Sequence, residues 1–179
     1  MENKKMELAT VGGGCFWCVE AIFNQLKGVE KVVSGYTGGK VPETPTYKEV
    51  CSGLTGHAEV VQVSFDPSVI SFNDLLEVFM SSHDPTTLNR QGVDAGTQYR
   101  SVIYYHDDVQ KEIAKTVLIN VAEYYNEPIV TELSKLEKFH TAEEYHHDYY
   151  ANNQEQGYCR TVIAPKLVKL RQKHADKLK

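Results

Sequence analysis

Apolar residues recur along the chain at two spacings, and the change from one to the other predicts the elements. "MELATV" reads as a short strand running into Gly12–Gly14. From Cys15 onward, Phe16, Val19, Ile22, Phe23 and Leu26 recur at helical spacing until Gly28 ends the pattern. "VEKVVSGY" predicts a second strand. In "EVVQVSF" the period is two: Glu59, Val61, Val63 and Phe65 share one face, with Val60, Gln62 and Ser64 on the other. Ser71 with Asp74 reads as a capping box opening a helix that holds Phe72, Leu75, Leu76 and Phe79.

The turn-rich "HDPTTLNRQGVDAGTQ" follows, long enough for a functional loop. "YRSVIYYH" predicts a strand, Asp107 caps the helix "DVQKEIAKTVLINVAEYY", and "PIVTELSKLE" predicts a further strand. Thr141 with Glu144 reads as the start of a short helix, "AEEYHHDYY"; a polar segment then carries Cys159, and Pro165 marks the start of a last helix.

The early order strand–helix–strand–strand–helix–strand is a split βαβ arrangement. It predicts an α+β fold, a two-layer sandwich with a ferredoxin-like core and helices on one face of a mixed sheet. Extra helices and a long irregular C-terminal segment extend it. No linker divides the chain, so residues 1–179 are expected to form one catalytic domain: a core over about 6–150, a mobile 151–165 segment, and a helix or tail over 166–179.

Composition narrows the function classes. A net charge of −5 argues against a nucleic-acid partner held by a general positive field. No apolar run reaches membrane-spanning length, and the start "MENKKMELATVGGG" lacks the apolar stretch of a secretion signal. A cytoplasmic location with reduced thiols is therefore expected, where cysteines are catalytic, metal-bound or simply buried.

Of the four cysteines, Cys15 stands at a glycine-rich turn within the first residues of the predicted helix. Unpaired backbone N–H groups there favour an anion, so a lowered thiol pKa is expected. Cys18 lies one turn on. A C-x-x-C spacing alone fits a metal clip, an electron-passing dithiol, or a nucleophile with a neighbour; zinc would want a second ligand pair, and none is spaced for it. Adjacent His146, His147 and Asp148 diverge around a helix and make a poor ligand set. Cys51 reads as a small buried apolar residue, and Cys159 as a thiol on a flexible segment able to travel.

Glu59 shares its strand face with Val61, Val63 and Phe65. That placement should desolvate its carboxyl, raise its pKa and keep it protonated near neutrality, fit for a general acid. Tyr47, Tyr99, Tyr150 and Tyr158 each lie near a glycine, a turn or a short helix; any one alone reads as a packing residue.

Together "GCFWC", "GYTGG", "PTYKEVCSGLTGHAE", "HDPTTLNRQG", "DAGTQYRS", "AEEYH" and "GYC" resemble the A-type peptide methionine sulfoxide reductases, from about Val11 to Cys159. The resemblance implies reduction of methionine sulfoxide (S epimer, free or in proteins) through a cysteine sulfenic acid and an intramolecular disulfide. It implies Cys15 as nucleophile, Glu59 as acid, and Tyr47 and Tyr99 as hydroxyls on the sulfoxide oxygen. Phe16, Trp17 and Tyr150 would wall the methyl pocket, with Asp94 and Tyr158 lining the site. It implies no cofactor or metal, thioredoxin as reductant, and a monomer. Cys159 falls on the family's resolving thiol. Cys18 departs from the glycine many members carry; reach favours Cys159 as first resolver, with Cys18 competing or relaying.

Overall fold

The computed structural model describes residues 5–179; the first four, part of the stretch read as lacking a secretion signal, lie outside the described residues. Strands β1 (Glu7–Gly12), β2 (Val29–Thr37) and β3 (Ala58–Phe65) are joined through helices α1 (Phe16–Phe23) and α2 (Tyr47–Cys51). Helix α3 (Phe72–Ser82) leads to a small hairpin, β4 (Arg90–Gln91) and β5 (Asp94–Ala95). Then come β6 (Val102–Tyr105), α4 (Asp108–Ala122), β7 (Glu132–Lys135), β8 (His140–Thr141), α5 (Tyr149–Asn152) and α6 (Ala164–His174).

The main sheet runs β7-β6-β1-β3-β2-β8. Its central order β6-β1-β3-β2 is antiparallel throughout, and β7 joins β6 in parallel, which makes the sheet mixed as expected. Helix α1 packs on β2 and β3, α3 on α4, and α6 against both α1 and α3. The core between them is apolar: Phe16, Phe23, Leu26, Val61, Val63, Phe65, Leu75, Leu76, Met80 and Ile103 are all buried.

Local chemistry sets the helix starts. Ser71 Oγ accepts from Asp74 N at 3.0 Å and Asp107 Oδ1 from Gln110 N at 2.8 Å. Asp74 does not reciprocate as a box; the reciprocal pair belongs to Thr46 and Glu49, which start α2.

Two expected elements differ. Thr141 opens no helix: it pairs with Gly35 in β8, and "AEEYHHDYY" is split into a single 3-10 turn and the short α5 by Asp148, whose φ is 53°. The expected irregular segment around Cys159 is instead a wide π-helical turn, Cys159–Ile163, continuous with α6. The reason is apolar spacing: Cys159, Ile163, Leu167 and Leu170 lie on one face and are buried against the core.

Candidate active site

Cys15 is the N-cap of α1, reached through Gly14, whose φ of +84° is a left-handed conformation that suits glycine. Gly14 N donates to Tyr99 O at 3.1 Å, which draws the Tyr99 turn beside the cysteine. Close approach of β1 to β3 also needs a glycine, since a Cβ on Gly12 would stand 2.5 Å from the Glu59 carbonyl oxygen.

No side chain of α1's own start caps it. The Phe16 N–H donates instead to Glu59 Oε1, at 3.1 Å, across from β3. Glu59 is 1% exposed, and its Oε2 is buried without a partner among the described residues. Burial pushes its carboxyl up to about 8, so it is mostly protonated at neutrality, as the strand parity predicts. A neutral acid with one oxygen free thus lies against the amide that follows the sulfur.

Cys15 does not show the lowered pKa expected of a helix N-terminus. Burial, hydrogen bonding to Cys18 and the nearby Glu59 hold it well above the ordinary thiol value. Cys18 goes the other way: the hydrogen bond from Cys15 lowers it to about 7. Desolvation of the capping sulfur outweighs the backbone N–H groups, and of the two thiols Cys18 ionises the more readily. Cys18 Sγ also lies 3.6 Å from Tyr158 Oη, which donates to Asp94 Oδ2 at 2.6 Å. Cys159 is fully buried, and the charge of Cys18 helps raise its thiol. Cys51, expected to be buried, is exposed at the end of α2, where Tyr47, one turn earlier, hydrogen-bonds to it.

The aromatic residues form a cup around these sulfurs. Phe16 is fully buried, with its ring stacked on Tyr47 at 6.4 Å. Trp17 is half-buried; Tyr149 stacks on its indole at 3.7 Å and 7°, and Tyr158 meets it edge-on at 5.9 Å. The stacking partner is therefore Tyr149, whereas the adjacent Tyr150 packs half-buried against the core. Consecutive helical residues point about 100° apart, so only one of the two can face the indole. Tyr47 and Tyr99 are both partly buried, and burial raises both hydroxyls well above the ordinary tyrosine range, leaving them neutral donors.

Sequence reasoning missed two residues here. His146 Nδ1 accepts from Trp17 Nε1 at 3.1 Å, and its buried ring packs on Phe16 and Tyr47. Glu143 accepts from Tyr36 Oη and Tyr47 N, each at 2.9 Å. Both stand in "AEEYH", where a helix reading hid the fact that the segment folds back over the cup.

The model of the family described as peptide methionine sulfoxide reductase matches residues 7–179. The peptide methionine sulfoxide reductase MsrA of Chromobacterium violaceum is 54% identical over 175 residues, covering 97% of this chain and 99% of that protein. The reduced form of Mxr1 from Saccharomyces cerevisiae has a similar structure: TM-score 0.80 and 34% identity, covering 87% of this chain and 90% of that one. Mxr1 in complex with Trx2 shares the fold at TM-score 0.57 and 23% identity, covering 88% and 87%.

Proposed function

The chain belongs to the peptide methionine sulfoxide reductase family, and from that premise we propose that Cys15 and Glu59 together reduce the S epimer of methionine sulfoxide, free and in oxidised proteins. The observation that carries this reading is the neutral, buried Glu59 bonded to the amide next to the sulfur. Sulfoxide sulfur is electrophilic, but its oxygen leaves poorly until protonated. Glu59 supplies that proton while Cys15, passing its own proton along the hydrogen bond to Cys18, attacks sulfur, and the Tyr47 and Tyr99 hydroxyls hold the oxygen. Phe16, Trp17 and Tyr149 take the methyl group, Tyr149 filling the place expected of Tyr150. Asp94 and Tyr158 close the far side.

The balance is simple. Thiol and sulfoxide become sulfenic acid and thioether, so one oxygen changes sulfur. A second thiol then condenses with the sulfenic acid, forming a disulfide and releasing water. Cys18 suits that step: it is hydrogen-bonded to Cys15 and is the more readily ionised thiol of the pair. Cys159, buried on a helical turn beside Cys18, suits the following exchange better than the first attack. This reverses the order that a free-swinging tail would favour.

An external dithiol, thioredoxin in this reading, restores the enzyme by exchange; Mxr1, a relative, is known in complex with Trx2. No cofactor is required, because the electrons come from thiols. The enzyme works as a monomer in a reducing compartment, which we take to be the cytoplasm; no helix among the described residues is long and apolar enough to cross a membrane.

Purified protein with thioredoxin, its reductase and NADPH should oxidise NADPH on adding the S-sulfoxide. No NADPH loss above background would refute the reading. The order of thiols has its own test. After one equivalent of sulfoxide, a Cys159→Ser variant should hold a Cys15–Cys18 disulfide by peptide mass mapping. A persistent sulfenic acid on Cys15 would make Cys159 the first resolver.

A further inference from the structure

Glu20 is a buried carboxyl that the chemistry above leaves unused. It sits one helical turn past Trp17 on α1 and is 2% exposed. Ser34 Oγ from β2 donates to it at 3.1 Å, and the backbone N–H groups of Asp148 and Tyr149, on the α5 turn packed against α1, face its carboxyl and favour the charged form. The last two belong to the turn that presents Tyr149 to the indole.

We propose that Glu20 is a positioning residue for substrate binding, holding from within the core the turn that lays Tyr149 over Trp17. The inference rests on the reductase reading of the cup. Helix α5 has four residues, too short to hold itself. It starts from Asp148 in the left-handed region, φ 53° and ψ 32°, a conformation that a non-glycine residue keeps only when its surroundings impose it. The carboxylate favours it by facing both N–H groups from within the core. Asn153 Nδ2 secures the other end by donating to Tyr149 O at 2.9 Å.

Burying a carboxylate is unfavourable, and Glu20 is pushed up to about 7 by that burial. An apolar residue would fill this place in α1 with less penalty, but it would give the two amide N–H groups no negative charge to face. Geometry gives the same answer from the other side: the Tyr149 ring is nearly parallel to the indole, at 7°, an alignment a loose turn would not keep.

Trp17 is the chain's one tryptophan, so its fluorescence reports on this stack without any substrate present. In a Glu20→Gln variant the amide NH2 group opposes one of the two donors. Its KM for methionine sulfoxide should rise about tenfold, the equivalent of one charged hydrogen bond, with kcat within about twofold of wild type. Trp17 emission should move to longer wavelength as the ring lifts. In a Tyr149→Leu background the same substitution should add nothing further to KM.

Wild-type KM and emission in Glu20→Gln, with only thermal stability lowered, would show a structural role and overturn the proposal. Should Glu20→Gln fail to fold, Tyr149→Leu alone decides. Unchanged KM and emission there would mean the ring has no part in binding, and the proposal falls; a raised KM with red-shifted emission supports it. Lack of sulfoxide reduction by the wild type would sink the functional reading, while the emission shift would still test the placement of Tyr149.

Discussion

A Cys15→Ser variant should fold normally and reduce no sulfoxide. Serine is close in size to cysteine and is a better helix N-cap, so α1 should start as before; the circular dichroism and melting temperature should match wild type or slightly exceed it. The chemistry should vanish because the hydroxyl is a far weaker nucleophile than the sulfur and cannot accept the oxygen as a sulfenic acid. The loss should reach the assay background, roughly 10⁴-fold or more. Thioredoxin-coupled NADPH oxidation measures it. Turnover above about 1% of wild type would point to Cys18 as the attacking thiol, consistent with its lower pKa, and would remove Glu59 from its assigned partner.

Glu59→Gln should be the second most damaging change. The amide can still accept from Phe16 N but has no acidic proton to give, so sulfoxide reduction should slow by about 10²–10⁴-fold, the usual worth of a positioned acid. Alkylation of the thiols should continue, separating lost chemistry from a lost site. The pH dependence follows from the same group. With Glu59 raised to about 8, its proton is present at neutrality and leaves as pH rises through that value, so the wild-type rate should fall above about pH 8. The Gln variant should lack that limb.

Stability should move in the matching direction. The folded protein binds this proton more tightly than the unfolded chain, whose carboxyl titrates at its ordinary value. The contribution is complete below that value, about 4.5, and is lost as pH climbs to about 8. Melting temperatures of wild type relative to Glu59→Gln should therefore decline across that interval. A flat difference would mean the carboxyl is not desolvated.

Much of this was legible in the chain because it depends on period and parity. The alternation in β3 placed Glu59 on the buried face, and the turn–helix boundary placed Cys15 at the mouth of α1. Capping residues announced α3 and α4 for the same local reason. Features set by tertiary burial were not legible. Nothing local says that Cys15 is desolvated enough to overcome its amides, or that Cys18 is the more acidic thiol of the two. The choice of Tyr149 over Tyr150 turned on Asp148 taking a left-handed conformation, which no spacing signals. Cys159 is the avoidable miss: its polar neighbours suggested a loose tail, yet Ile163, Leu167 and Leu170 follow it at helical intervals.

The bond from Phe16 N to Glu59 ties two functions to the alignment of one strand. A slip of β3 by a single residue would turn every side chain to the opposite face. Glu59 would then leave the sulfur and uncap the helix in one step, since both rest on the pairing of Tyr36 with Glu59. Insertions in the loop before Ala58 are therefore harmless only while that pairing keeps its frame. The proposed acid and nucleophile are gauged against each other by the sheet, and neither can drift alone.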